Sequence, residues 1–136
     1  MTRFLDTNIL LYSVSTNPNE RSKRDIAEHL LSEPGNALSV QVLQEFYVQA
    51  TRVTRPGLLT HDIAVSLIRT WLRFPVQSLT VLIMSDALDL KARSGLSYWD
   101  AAIVAAARAL GSTELLSEDM QHGRQIGGVR IVNPFR

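Results

Sequence analysis

Thr2-Arg3-Phe4-Leu5-Asp6-Thr7-Asn8-Ile9-Leu10-Leu11-Tyr12 reads as a strand, a turn and a helix in immediate succession. Phe4 and Leu5 give the strand its apolar character, and Asp6 falls where the strand hands over to the helix. In an open parallel sheet the ligand crevice lies outside the carboxyl ends of the strands, so an acid at this position is set where such proteins do chemistry. The chain returns to the same kind of place near its other end. There Ser112-Thr113-Glu114-Leu115-Leu116 reads as a strand that runs into Ser117-Glu118-Asp119. Two acids from opposite ends of the sequence would meet over one sheet, which makes a candidate metal site.

Between these ends short strands alternate with longer helices. Asn17-Pro18-Asn19-Glu20 carries a cap, a first-turn proline and an acid three residues on, a capping box that starts a helix reaching about Ser32. Glu33-Pro34-Gly35-Asn36 breaks it, Ala37-Leu38-Ser39 predicts a small strand, and a helix follows from Val40 to Val53, ended by Arg55-Pro56-Gly57. After Thr60 as cap, Ile63, Ala64, Leu67, Ile68 and Trp71 recur on a single helical face. Pro75-Val76-Gln77 fits another strand. Thr80 to Ser94 reads as a helix stopped by Gly95, Ser97 to Leu110 as an alanine-rich helix stopped by Gly111, and Val129 to Val132 as a last strand. The alternation predicts an α/β sandwich with a mainly parallel sheet of four or five strands.

Composition bounds the rest. A chain of 136 residues suffices for one core and is short for two, so residues 1–136 are expected to form a single domain. Apolar residues at 46% and charged residues at 20% are globular proportions, and the absence of cysteine excludes disulfides, thiolate metal sites and cysteine nucleophiles. No stretch has the form of a signal peptide or the length of a bilayer span, which predicts a soluble cytoplasmic protein without a membrane partner. A net charge of +1 leaves nucleic acid open, because an acidic site with basic rims sums to near zero.

Each acid also has a purely structural reading. Asp6 would cap the helix that follows it, and Asp100 completes the box Ser97-Tyr98-Trp99-Asp100 ahead of a run of alanines. Glu45 borders an apolar stripe with Val42 and Val48, and Glu118 and Asp119 follow a strand in a loop, where acids serve turns. Their order along the chain is more specific than any one of them. Asp-Thr-Asn at positions 6–8, Val-Leu-Gln-Glu-Phe at 42–46, Ser-Tyr-Trp-Asp-Ala-Ala-Ile-Val at 97–104 and Leu-Leu-Ser-Glu-Asp-Met-Gln-His-Gly at 115–123 together resemble the PIN-domain nucleases, in particular the VapC-type toxin ribonucleases of bacterial toxin–antitoxin pairs. The resemblance covers essentially the whole chain.

What the resemblance implies is a three-layer α/β/α sandwich carrying an acidic quartet at Asp6, Glu45, Asp100 and Asp119, with Glu118 an equally acidic neighbour for the last place. It further implies hydrolysis of RNA phosphodiester bonds with Mg²⁺ or Mn²⁺ held among Asp6, Asp100 and Asp119, a small antitoxin partner and a homodimer. A hard ion of this kind takes oxygen ligands and keeps several waters, so one or two direct carboxylates suffice and other acids can hold its waters. Thr7, Asn8 and Ser117, polar neighbours of the acids, read either as partners that fix a carboxylate rotamer or a metal-bound water or as cap and turn residues. Arg52, Arg55 and Arg124, with Arg21, Lys23 and Arg24 in reserve, are the candidates for holding RNA phosphates that the acids would repel. His29 and His61 lie in helices or at a helix start, outside the acid motifs, and His122, in the Met-Gln-His-Gly turn after Asp119, reads as a surface turn residue with RNA contact as the second reading. Two rivals remain: an inactive PIN-like module that binds RNA or protein, and a haloacid-dehalogenase-like phosphatase, whose Asp-x-Asp signature here has Asn8 in its third position.

Overall fold

The structure is a computed structural model and describes residues 2–136. Strand β1 (Arg3–Leu5) lies in the middle of the sheet, between β2 (Asn36–Ser39) and β4 (Glu114–Leu116), and pairs in parallel with both. A strand covered on both faces must be apolar throughout, which is why Phe4, Leu5, Ala37, Leu38, Leu115 and Leu116 are all buried. Outward from β2 comes β3 (Val76–Gln77). Outward from β4 come β6 (Val129–Val132) and then β5 (Gln125–Ile126), so that the spatial order is β3-β2-β1-β4-β6-β5.

Sequence reasoning expected four or five strands, and the described residues form six. The unforeseen strand is β5, two residues long, which pairs antiparallel with β6 across Gly127-Gly128. Both glycines have positive φ, 57° and 83°, as a two-residue hairpin turn of the right twist demands. All other pairings in the sheet are parallel.

Among the described residues six α-helices flank it: α1 (Thr7–Ser13), α2 (Arg21–Ser32), preceded by a 3-10 turn Pro18–Glu20, α3 (Val40–Ala50), α4 (His61–Trp71), α5 (Val81–Ser94) and α6 (Tyr98–Ala109). Their starts are set by side chains that accept a backbone N–H. Ser39 takes Val42, Thr60 takes Ile63, Thr80 takes Ile83 and Ser97 takes Asp100. α3 ends at Ala50, three residues before the expected Val53, because Thr51 to Arg55 turn sharply and Val53 stands 87% exposed with nothing to bury against.

Right-handed crossovers put the helices of the β1–β2–β3 walk on one face and those of the β3-to-β4 return on the other, which yields three layers. The return pair is α5 and α6. α6 runs along the sheet with Ala101 to Ala107 buried without interruption, its alanines letting the helix settle closely on the strands. The direction of the walk reverses between β1 and β4, and the carboxyl ends of those two strands form the crevice where such folds bind ligands.

Candidate active site

Leu5 of β1 is level with Leu116 of β4, so the residues that follow each strand, Asp6 and Ser117, emerge side by side. The Asp6 carboxylate is only 4% exposed. One oxygen accepts the Thr7 N–H at 2.7 Å and caps α1; the other accepts the Ser117 hydroxyl at 2.6 Å and, more distantly, the Asn8 amide at 3.4 Å. Capping and site roles therefore coincide in a single side chain. Ser117, fully buried, also accepts the Asp119 N–H at 3.2 Å.

Asn8 ties the two chain ends together. Its Nδ2 donates to Asp119 at 3.1 Å and its Oδ1 accepts the Glu118 N–H at 3.3 Å. On the other side Thr7 Oγ1 donates to Glu45 at 3.3 Å, and Gln41 Nε2 donates to the other Glu45 oxygen at 2.8 Å. Gln41 also donates to the Trp99 carbonyl at 3.1 Å, which pins the start of α3 to the first turn of α6, where Asp100 sits. The sequence-named trio Thr7, Asn8 and Ser117 thus each touches an acid.

Asp6, Glu45, Asp100 and Asp119 line one cleft of about 310 Å³, joined by Tyr12, Glu20, Gln49 and Arg55. Crowding acids in a partly dry cleft has an electrostatic signature. Burial pushes the Asp6 carboxyl up to about 7; the Ser117 hydroxyl and Thr7 N–H pull against this, while the charges of Asp119 and Asp100 add to it. Asp100 is raised as well, first by desolvation and then by the charge of Asp119, with a hydrogen bond to Ser97 opposing.

Glu118 goes elsewhere. Lys23 Nζ on α2 pairs with its carboxylate and reaches the Tyr12 hydroxyl at 3.3 Å, lying 5.0 Å from the centre of the Tyr12 ring and 5.8 Å from that of Phe135. Burial alone would raise the Glu118 carboxyl, yet hydrogen bonds with Lys23 and Tyr12 hold it below the usual carboxylate range. Of the two adjacent acids, Asp119 is the one that lines the cleft.

The basic candidates separate. Arg55 lines the cleft, whereas Arg52 stands exposed on the turn after α3, outside it. Arg124 is not brought to the acids; it donates to the Ser94 carbonyl at the end of α5 and lines a groove with Leu90 and Arg93. His122 serves a turn, its Nδ1 accepting the Asn133 N–H at 2.9 Å.

Sequence reasoning missed Gln41, Gln49 and Glu20. Gln41 was within reach, since it precedes Glu45 by one helical turn on the same face. Glu20 does not close the expected capping box. Ser15 Oγ donates to it at 2.6 Å and accepts the Asn17 N–H at 3.2 Å, while the Asn17 side chain caps through Asn19 N–H at 3.0 Å. That frees Glu20 to wall the cleft.

The family model described as PIN domain matches residues 3–125, a span that runs from β1 into β5 and takes in all four acids. The chain belongs to the PIN-domain family. Among solved structures, this PIN domain is similar in fold to a chain of a toxin–antitoxin complex from Klebsiella pneumoniae, with TM-score 0.72, 22% identity and 98% of each chain covered. It is also similar to VapC20 of Mycobacterium tuberculosis, described as a sarcin-ricin loop cleaving toxin, with TM-score 0.67, 21% identity and coverage of 87% of this chain and 92% of that one. A third is a chain of VapBC2 from Rickettsia felis bound to a DNA fragment from its promoter, with TM-score 0.65, 19% identity and coverage of 96% and 97%. At these identities the likeness is one of fold. No curated protein sequence matches.

Proposed function

We propose that this PIN domain is a metal-dependent endoribonuclease of the VapC type, the toxin of a toxin–antitoxin pair. The observation that carries the reading is the convergence of four carboxylates, from the ends of β1 and β4 and from α3 and α6, on one cleft. A charge-repelling arrangement of this kind has no use in a cap or a turn and is relieved by a divalent cation.

Whether the residues suit such an ion can be asked of the donors themselves. All are carboxylate oxygens, the ligands of Mg²⁺ and Mn²⁺, and the charges of Asp119 and Asp100 beside buried Asp6 add to the burial that disfavours its ionised form. Among the described residues no three acids or histidines stand close enough to form a ready-made cage. Because such an ion keeps several waters, the donor set fits one held by one or two direct carboxylates, Asp6 and Asp100 with Asp119 adjacent. When bound, the metal supplies Lewis acidity towards water and the phosphate oxygens.

The chain's own residues do the remaining work. Asn8 and Ser117 fix the rotamers of Asp6 and Asp119, and Thr7 and Gln41 hold both oxygens of Glu45, leaving it poised to accept a proton from an attacking water. Arg55 meets the phosphate the acids would repel. Asn8 cannot serve as the acid of an Asp-x-Asp phosphatase, because an amide has no proton to transfer and both of its ends already bridge acids and backbone. For a second copy, α5 offers an exposed apolar stripe of Val81, Met84 and Leu88 at helical spacing with Leu82 beside it, which supports a homodimer.

The test uses purified, partner-free protein with structured and unstructured RNAs in Mg²⁺, Mn²⁺ or EDTA. Cleavage requires the metal and is lost in Asp100→Asn. A parent protein that binds RNA and never cuts it, with either ion, overturns the proposal in favour of a binding module.

A further inference from the structure

The acid cleft is not closed at its Arg55 end. Glu20 and Arg55 also line a second hollow of about 470 Å³, whose other walls are Val14 to Pro18 on one side and Pro56-Gly57 on the other. The two hollows therefore share a wall and form one continuous depression. Each has the volume of a small-ligand site, room for a nucleotide-sized unit.

The second hollow has fixed walls. Gly57 sits at φ +69°, and a Cβ there would collide with Thr16 Oγ1, so the turn after α3 rests directly on the segment between α1 and α2. Ser15, buried, anchors that segment through Glu20 and the Asn17 N–H, and Arg24 donates to the Ser15 carbonyl at 2.9 Å. The charge that matters is on the shared wall. Arg55 is half-buried, and among the described residues its guanidinium has no hydrogen-bond or ion-pair partner, unlike Arg24, Arg73 and Arg124. A rigid fork of five donors left free between two hollows, beside a site for phosphodiester chemistry, is set to hold a phosphate linking one unit to the next. The faces of Val14, Pro18 and Pro56 are apolar and those of Thr16 and Asn17 polar, which suits the plane and edges of a base.

We infer that the hollow between Val14–Pro18 and Pro56-Gly57 is a subsite for a nucleotide one step beyond those flanking the scissile phosphate on single-stranded RNA, its linking phosphate held by Arg55. This rests on the nuclease reading above, and it makes the residues around Thr16 determinants of substrate preference at a position the acids do not touch.

The experiment measures binding of fluorescent single-stranded RNAs of two and four nucleotides by anisotropy in EDTA, with parent, Thr16→Glu, Thr16→Arg and Arg55→Met. Thr16 is exposed, so neither charge disturbs the core. Thr16→Glu weakens tetranucleotide binding by roughly three- to tenfold, Thr16→Arg strengthens it, and both leave the dinucleotide within about twofold; Arg55→Met lowers the tetranucleotide's log–log salt slope by about 0.7, the value for one phosphate on a single strand. If RNA affinity ignores both charges at Thr16, or moves the same way with both, the hollow is no nucleotide subsite and a peptide arm becomes its better occupant. Cleavage with Mg²⁺ on the same proteins separates the two claims. Cutting without any effect of Thr16 charge overturns the subsite alone, and charge-dependent binding without cutting overturns the nuclease reading alone.

Discussion

Asp6 makes stability fall as pH rises through the acid range, opposite to the usual effect of a paired carboxylate. Its carboxyl titrates at about 7 in the folded protein against an ordinary 3.8. Below pH 3.8 the group is protonated in both states and costs nothing. Between 3.8 and about 7 the unfolded chain ionises first and the folded state loses ground, and above 7 the penalty is complete. At about 1.4 kcal/mol for each tenfold difference in proton affinity, the gap amounts to about 4 kcal/mol, an order-of-magnitude ceiling. Asp6→Asn removes the titration and still accepts the Thr7 N–H, but it disturbs the bonds to Ser117 and Asn8 at a cost of about 1–2 kcal/mol. In EDTA at pH 8 the variant is then about 2 kcal/mol more stable than the parent, a Tm higher by about 6–10 °C for a domain of this size. At pH 4 the order reverses, because little of the penalty has yet developed and the lost hydrogen bonds outweigh it. The assay is a melting curve of each protein by circular dichroism at half-unit steps from pH 4 to 8.5. The difference between the two curves isolates Asp6 from the other acids, and a flat difference across that range refutes the account. Mg²⁺ at pH 8 raises the parent's Tm more than the variant's, since it stabilises in proportion to its affinity for the folded site.

Asp100→Asn keeps the Ser97 cap, whose oxygen accepts the backbone N–H of that position at 3.1 Å, so its Tm stays within about 3 °C of the parent while RNA cleavage in Mg²⁺ falls at least about a hundredfold. Lys23→Met frees Glu118, which anchors the loop presenting Asp119; the partly exposed pair is worth under about 1 kcal/mol by melting, yet the metal concentration for half-maximal cleavage rises several-fold and Lys23→Arg restores it. Equal metal dependence in all three proteins would confine Lys23 to surface packing. Arg55→Ala weakens binding across many RNA sequences and flattens its salt dependence, whereas Arg52→Ala, outside the cleft, leaves filter-binding curves unchanged.

What the sequence made legible was local. Asp6 and Asp119 stand at strand ends that a few apolar residues define, and Ser97, Thr60 and Thr80 announce their helices by accepting an N–H only three residues ahead. The parallel α/β sandwich followed from the alternation of these elements, and the three layers from the resemblance to PIN domains. β5 was harder, since two residues carry no periodicity; only Gly127-Gly128 betrayed it. The end of α3 was lost because the apolar pattern runs past Ala50 to Val53, and nothing in the pattern tells a buried valine from one standing in solvent. Glu20 was misread because the hydroxyl that claims it, Ser15, reaches it only once the segment between α1 and α2 has folded back. Arg55 and Arg124 look alike as letters, and the topology alone puts one beside the acids and the other beside α5.

The position of β1 has a consequence for the order in which the chain is made. It is synthesised first but sits between β2 and β4, and the neighbour that completes the site comes last of the two. Ser117 and Asp119 reach Asp6 and Asn8 across more than a hundred residues of intervening chain. At about 5–20 residues per second, the ribosome takes roughly 6–20 s between Asp6 and Asp119. Until β4 emerges the nascent chain has Asp6, Glu45 and Asp100 but lacks Ser117 and Asp119. On the proposed reading, the four-acid cluster is incomplete while most of the chain is still emerging among ribosomal RNA, and a chain broken off before β4 lacks Asp119 and the Ser117 that holds Asp6. The length of chain between β1 and β4 sets how long Asp6 waits for its last partners.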